Sequence, residues 1–204
     1  MTARLRVGVL ASGAGSNLQA ILDRVHRREA DVVAVGSDKA GAQALQRARA
    51  AGVPSATFPA SEHADREARD LAMASWLAAR GVELVVLAGY MQIVSPGFLE
   101  RFPGRVINVH PALLPAFPGL RAIEQALDYG VKVFGVTVHF VDEGVDSGPV
   151  ILQRAVELPG ATEPAVVRDA LRPLEHDLLT TAVRLIALGA VHADPFHPRR
   201  VLIG

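Results

Sequence analysis

The chain has 204 residues, no cysteine, and 21 basic residues (Lys and Arg) against 21 acidic ones. This length suits one domain with a sizeable hydrophobic core. The balanced charge argues against nucleic acid or a membrane surface as a partner and favours small molecules. The chain is expected to be a monomer or a homodimer. The missing cysteines exclude a disulfide scaffold and thiolate catalysis. The first residues lead into a strand without a signal-peptide or transmembrane pattern, which predicts a cytoplasmic protein.

In the amino-terminal half, apolar runs alternate with amphipathic helical patterns. Strands are predicted at residues 6–11, 32–35, 55–58 and 84–88, and helices at residues 17–28, 42–51 and 65–80. Gly81 ends the third helix, and Ser95 followed by Pro96 is typical of a helix start. The alternation of strands and helices predicts a parallel sheet.

The carboxy-terminal half has a different pattern. A strand ends at His110 and is followed by a proline-rich loop, a helix over residues 121–129, and two strands joined by a short connector. These strands, residues 131–141 and 150–157, are predicted to be antiparallel neighbours. A long helix capped by Thr162 is expected to break at Pro173, and residues 200–203 to form an edge strand.

These elements predict one α/β domain over residues 1–204, with an open, mostly parallel Rossmann-like sheet and helices on both faces. The antiparallel strands belong to its carboxy-terminal half. We expect residues 1–104 to form a phosphate-binding half and residues 105–204 to carry the catalytic groups.

The most informative segment runs from Val106 to Pro115. Asn108 and His110 are two residues apart on a predicted strand, so their side chains leave the same face. Pro111 stops the strand, which places both at the carboxyl edge where open α/β sheets bind ligands. The loop from Asp142 to Pro149 supplies carboxylates that can orient and charge a histidine. Together these residue types suggest acyl-type chemistry.

A second motif, Gly13-Ala14-Gly15-Ser16-Asn17, lies between the first strand and the first helix. Its glycines and the free N–H groups of the helix start suit an anion. Together with Asp38, the motif resembles a dinucleotide-binding fingerprint, but Leu18 stands where the third glycine of that fingerprint belongs. A phosphate monoester is therefore favoured over a dinucleotide as the ligand. The plain alternative is a strand-to-helix turn capped by Ser16.

Five stretches carry a family resemblance over nearly the whole chain: residues 13–21, 87–91, 107–115, 117–120 and 138–151. In them the sequence resembles the phosphoribosylglycinamide formyltransferase family. The resemblance implies transfer of a formyl group from 10-formyltetrahydrofolate to the amine of glycinamide ribonucleotide, in de novo purine (IMP) biosynthesis. It also implies that residues 105–204 are the half that holds the folate.

The resemblance also implies roles for particular residues. The catalytic set is Asn108, His110 and Asp146. The phosphate and ribose of the ribonucleotide are contacted by Gly15, Ser16, Asn17 and Glu175. The folate is contacted by Arg66, Met91, Gln92, Ile93, Val94, Asn108, Val141, Asp142 and Asp146. Three positions depart from the common family pattern: Gln92 stands where an arginine is frequent, Arg121 where a histidine is, and Arg172 where a glutamine is.

Physical roles for the catalytic set follow from the reaction. Asn108 and His110 can donate hydrogen bonds to the oxyanion that forms when an amine attacks a formyl carbon. Asp146 favours protonated His110 and can accept the amine proton through water. No nucleophilic side chain and no metal is required. A site of His110, His139 and Asp146 is conceivable for a metal, but it lacks zinc-motif spacing, and His139 is expected to be structural or to support a catalytic residue.

Two other function classes remain open. A hydrolase would deformylate the same folate with water in place of the amine, but it would have no phosphorylated acceptor to hold in the glycine loop. A non-catalytic nucleotide-binding module would not require the Asn, His and Asp set.

Overall fold

The computed structural model describes residues 3–204. The strands are β1 (Leu5–Leu10), β2 (Ala30–Ser37), β3 (Ser55–Thr57), β4 (Leu84–Leu87), β5 (Val106–His110), β6 (Val133–Phe140), β7 (Val150–Glu157), β8 (Val191–Ala193) and β9 (Val201–Ile203). The helices are α1 (Ser16–Arg24), α2 (Gln43–Ala50), α3 (Arg66–Ala78), α4 (Pro96–Arg101), α5 (Ala122–Tyr129) and α6 (Pro164–Ala187), with one 3₁₀ turn at Ala60–Glu62.

Seven strands form one sheet in the order β3-β2-β1-β4-β5-β6-β7, and β8 pairs with β9 separately. The predicted fold class is therefore confirmed: β1 to β5 pair in parallel, and β6 and β7 are antiparallel. β4 is apolar and buried along its whole length, and so are the last four residues of β1, as strands covered on both faces are. The contacts divide the chain into two compact units, one ending at Asn108 and the other comprising Val109–Gly204.

In the amino-terminal unit, strand register places three candidate ligand-binding features at one edge of the sheet: the glycine loop after β1, the segment after β4, and Asn108 on β5. Leu10 pairs with Leu87, and Leu87 pairs with Asn108. The segments that follow β1 and β4 therefore begin beside Asn108, at the carboxyl ends of parallel strands. Behind this edge the apolar sides of α1 and α3 are buried, including Leu18, Ile21, Met73 and Leu77.

In the carboxy-terminal unit, α6 packs against the antiparallel pair β6 and β7. Val136 and Val138 of β6 are fully buried, as are Leu171 and Leu179 of α6. This small core supports the strand that carries His139 and the connector from β6 to β7.

Four details of the prediction are wrong. The structure keeps α6 continuous through Pro173, because buried side chains on both sides of the proline hold the helix together. Its N-cap is Glu163 rather than Thr162, with Pro164 in the first turn where no N–H is needed. α1 ends at Arg24 instead of residue 28, and residues 201–203 pair with β8 rather than with the main sheet.

Within residues 3–204, no helix combines the length and apolarity needed to span a bilayer. The same residues contain no group of three or more His, Cys, Asp or Glu side chains suited to holding a metal ion. The single domain with two functional halves remains a prediction.

Candidate active site

The carboxy-terminal unit builds a charged cluster around Asp146. His110, at the end of β5, is 4% exposed, and its Nδ1 lies 3.2 Å from Asp146 Oδ2. His139, on β6, is 1% exposed, and its Nε2 lies 3.5 Å from Asp146 Oδ1. The structure thus brings together two of the three predicted catalytic residues and adds His139 to them.

The second nitrogen of each ring also faces an oxygen. His110 Nε2 is 2.8 Å from the carbonyl oxygen of Phe117, and His139 Nδ1 is 2.8 Å from that of Phe140. Carbonyl and carboxylate oxygens only accept hydrogen bonds, and a neutral imidazole donates through only one nitrogen. Each ring therefore has an oxygen acceptor within reach of both of its nitrogens.

Asp146 is suited to stay ionised. Burial alone would raise its pKa, but a hydrogen bond from His139, the N–H of Gly119 at 2.8 Å and the nearby charge of His110 lower the pKa to about 2. The residue has a φ of 49°, in the left-handed region that non-glycine residues rarely adopt. The connector therefore holds a charged carboxylate in a strained backbone position between two imidazoles.

Hydrogen bonds order the connector from β6 to β7, both within it and from Arg199. Asp142 Oδ1 accepts from Ser147 Oγ at 2.6 Å and from the N–H of Gly144 at 3.2 Å. Arg199 donates from its Nη2 to the carbonyl of Ser147 at 2.5 Å. A Cβ on Gly148 would lie 1.8 Å from the carbonyl oxygen of Phe140, so only glycine fits there. Asp142 thus orders the loop with its side chain.

A buried threonine fixes the proline-rich segment that follows β5. Thr137 Oγ1 donates to the carbonyl of Ala112 at 2.7 Å and accepts the N–H of Leu114 at 3.1 Å. Gln153 adds hydrogen bonds to the carbonyl of Leu114 at 2.8 Å and to Thr137 Oγ1 at 2.9 Å. The chain directly after His110 is therefore held by side chains of β6 and β7.

The glycine loop of the amino-terminal unit presents backbone. Gly15 is the N-cap of α1 with a φ of 71°, which leaves Ser16 as the first helical residue rather than the cap. The N–H of Ala44 donates to the carbonyl of Gly13 at 3.1 Å, and Arg47 Nε donates to the carbonyl of Ala14 at 2.8 Å. Two carbonyls of the loop are thus tied to α2, and the loop leads directly into the amino-terminal end of a helix, the kind of backbone that suits an anion.

The other predicted site residues lie in several settings. Ser16, Asn108 and Glu175 are half-buried, on α1, β5 and α6, and Asn17 is buried on α1. Arg66 is exposed at the first residue of α3, and Val141 is half-buried directly after β6. In the segment after β4, Met91 and Ile93 are 55% and 57% exposed, Gln92 is exposed and Val94 is buried.

Asp38, which imitated a dinucleotide fingerprint, has a different partner in the structure. Its Oδ2 accepts from Gln92 Nε2 at 3.2 Å. This hydrogen bond engages one of the two carboxylate oxygens, and Oδ1 is buried without a hydrogen bond from any described residue.

His139 is expected from the sequence to be structural or to support a catalytic residue, and the structure agrees with the second alternative by placing its Nε2 beside Asp146, a partner that the sequence did not specify. A polar ring in an otherwise apolar strand, a few residues before an acidic connector, is the signal that could have identified it.

Comparison with known proteins identifies the family. The sequence pattern described as formyl transferase matches residues 5–183. The phosphoribosylglycinamide formyltransferase of Mycobacterium tuberculosis is 44% identical over 191 residues, covering 93% of this chain and 88% of that protein. The chain belongs to the phosphoribosylglycinamide formyltransferase family. It is therefore a formyl-transferring enzyme, and the resemblance stated from its sequence is confirmed.

Two further relatives define the extent of this similarity. Glycinamide ribonucleotide transformylase 1 from Symbiobacterium toebii has a TM-score of 0.93 at 48% identity, covering 98% of this chain and 94% of that one. The trifunctional purine biosynthetic protein adenosine-3 of Drosophila melanogaster is 41% identical over 94% of this chain. This chain spans only 14% of that larger protein.

Proposed function

We propose that the chain transfers the formyl group of 10-formyltetrahydrofolate to the amine of glycinamide ribonucleotide, a step of de novo purine (IMP) biosynthesis. Family membership supports this assignment, since relatives at 44% and 48% identity carry names for that activity. The single observation that carries it in this molecule is Asp146 held between His110 and His139, next to the chain end of β5.

The proposed catalytic set is Asn108, His110 and Asp146. The ribonucleotide amine attacks the formyl carbon, and the carbonyl oxygen becomes an oxyanion that Asn108 and His110 stabilise by donating hydrogen bonds. His110 Nε2 faces the carbonyl of Phe117 at 2.8 Å, so it would exchange this acceptor for the oxyanion. The more negative oxygen is the better acceptor, which makes the exchange favourable in the transition state.

Asp146 would act through charge and through proton transfer. As a carboxylate it stabilises protonated His110, and it can accept the proton that the attacking amine loses, through water. The protonated imidazole can deliver a proton to the departing folate nitrogen. These steps need two bound substrates and no covalent enzyme intermediate, so positioning supplies much of the acceleration.

The proposed ribonucleotide site uses the loop at Gly15, Ser16 and Asn17 for the phosphate and Glu175 for the ribose. For the folate we propose contacts with Arg66, Met91, Gln92, Ile93, Val94, Asn108, Val141, Asp142 and Asp146. The exposed apolar side chains of Met91 and Ile93 suit a flat heterocycle.

A folate co-substrate is the donor that the formyl transferase family uses, and the substrates are small molecules. The finer assignments are part of the proposal: 10-formyltetrahydrofolate as donor, no metal, a monomer or homodimer, no nucleic-acid or membrane partner, and a cytoplasmic location.

One assay tests the proposal against the hydrolase alternative. Purified protein is mixed with 10-formyltetrahydrofolate, with and without glycinamide ribonucleotide, and tetrahydrofolate release is followed spectroscopically. We expect release only when the ribonucleotide is present, with no added ATP and with the same rate in a metal chelator. Equal release in its absence would establish the hydrolase instead.

A further inference from the structure

Four polar side chains tie the segment after β4 to the body of the amino-terminal unit. Gln92 donates from Nε2 to Asp38 Oδ2 at 3.2 Å and accepts at Oε1 from Arg69 Nη1 at 3.3 Å. Arg69 in turn donates from Nε to Asp70 Oδ1 at 2.9 Å. We call Asp38, Arg69, Asp70 and Gln92 the polar clamp.

The clamp also fixes the end of the segment. Asp70 Oδ2 accepts the N–H of Ser95 at 2.7 Å, directly before α4 begins. At the other end, the N–H of Met91 donates to Ser12 Oγ at 2.9 Å. The clamp therefore holds residue 92 between two anchored ends, while the apolar side chains of Met91 and Ile93 remain outside.

Burial makes this arrangement costly. Arg69 is 3% exposed and Asp70 is fully buried. Arg69 Nη2 lies 2.8 Å from Asp70 Oδ1, but it is not aligned for a hydrogen bond with any described residue. A buried ion pair contributes little net stability, because desolvation offsets its attraction, and apolar residues of the same volume often serve stability as well. What the charged pair adds here is a fixed direction for the hydrogen bonds to residues 92 and 95.

We propose that the polar clamp positions the segment that binds the folate co-substrate. Through Gln92, with Asp38 as the opposing acceptor, it sets the course of residues 91–94 and so the place of the apolar side chains that receive the folate. Gln92 stands where the family often has an arginine, and in this chain the guanidinium beside residue 92 comes from α3. The inference rests on the proposed function, because it assigns these residues to the folate.

A charge exchange across the clamp tests this role. Gln92→Glu keeps an acceptor for Arg69 but sets a carboxylate against Asp38. We expect the KM for 10-formyltetrahydrofolate and the Kd for tetrahydrofolate to rise about tenfold, as when one charged hydrogen bond is lost. The KM for the ribonucleotide should stay within about twofold. Adding Asp38→Asn restores a donor opposite the introduced carboxylate, so the double variant should recover folate affinity to within about threefold of the wild type.

The matched control is Gln92→Glu combined with Asp128→Asn, which restores the same net charge at an exposed position on α5. It should show the full folate defect. Equal recovery in this control would overturn the proposal, because the introduced carboxylate would then act through the overall charge of the protein. No recovery with Asp38→Asn would also overturn it, because the carboxylate would then repel the folate itself. Gln92 is exposed, so folding is not at risk, and a melting curve verifies it. A wild-type enzyme without ribonucleotide-dependent turnover would instead refute the proposed function.

Discussion

The loop at residues 13–17 offers backbone N–H groups at a helix start, whereas the connector at residues 142–148 offers a charged carboxylate between two imidazoles. The first is secured from behind by Ala44 and Arg47, which bind its carbonyls. The second is secured by side chains within it, such as Asp142 on Ser147. Contacts with α2 thus fix the first region, and side chains of the connector itself fix the second.

This difference determines which changes each region tolerates. Backbone donors are neutral, so a phosphate loop should be insensitive to pH and sensitive to any added Cβ. The charged cluster depends on side-chain chemistry and on protonation, so small chemical changes there should have large effects on kcat. Each prediction below tests one side of this contrast.

The largest loss is expected for His110→Ala, which removes a donor and a proton source together. We expect kcat to fall by at least about 10³-fold, with the KM of both substrates within about threefold, because the lost contacts are strongest in the transition state. Steady-state kinetics measure it, with exposed His192→Ala on β8 as the control. Combined with Asp146→Asn, the loss should barely exceed the worse single change. Fully multiplied losses would mean that His110 and Asp146 act independently.

Gly148→Ala should be the next most severe change. Its Cβ would lie 1.8 Å from the carbonyl oxygen of Phe140 and 3.4 Å from the backbone nitrogen of Asp142, so the connector must shift and carry Asp146 with it. Because misplacing a catalytic group by about 1 Å costs about 10²-fold, we expect a kcat loss of that order. Gly160→Ala is the matched control, since a Cβ there meets nothing within 4 Å. Equal kcat in the two variants would show that the connector's course is unimportant.

The sheet could be predicted from the sequence because its signals are local. Continuous apolar runs such as β4 and the alternation with amphipathic helices indicate buried parallel strands. The helix break at Pro173 was wrong, because long-range packing of α6 outweighs the one hydrogen bond that proline removes.

Contacts between side chains are harder to predict from sequence patterns than strands and helices are. Asn108, His110 and Asp146 were predicted from chemistry and resemblance, and the structure contains the contact between His110 and Asp146. Nothing in the helical pattern of α3 distinguishes Arg69 and Asp70 from solvent-exposed charges, since charged residues are rarely buried. Their burial depends on Gln92 and Ser95, more than twenty residues away in the chain.

Acid stability should report the charge of Asp146. Its pKa is 3.8 in the unfolded chain and about 2 when folded, so the carboxylate stabilises the fold above pH 4 and loses this contribution as pH falls toward 2. The difference corresponds to about 2 kcal/mol at 1.36 kcal/mol per unit. Urea unfolding measures this at pH 6 and pH 2. Between these two pH values, the free energy of unfolding should fall by about 2 kcal/mol less in Asp146→Asn than in the wild type. Asp128→Asn should behave like the wild type; an unchanged loss in Asp146→Asn would contradict the low pKa.

The smallest effect is expected in the backbone loop, with Gly15→Ala. At a φ of 71°, a Cβ would lie 2.8 Å from both Cα and Cβ of Ala44, and left-handed backbone costs a non-glycine residue about 1–2 kcal/mol. The loop should move away from Ala44 and misdirect the N–H groups of α1. We expect the KM for glycinamide ribonucleotide to rise about tenfold at any pH between about 6 and 8, with kcat and the folate KM within about twofold. Gly41→Ala is the matched control, because a Cβ there meets nothing within 4 Å and its φ is ordinary. A defect that falls on folate, or that follows pH, would mean that this loop does not hold the phosphate through neutral backbone donors.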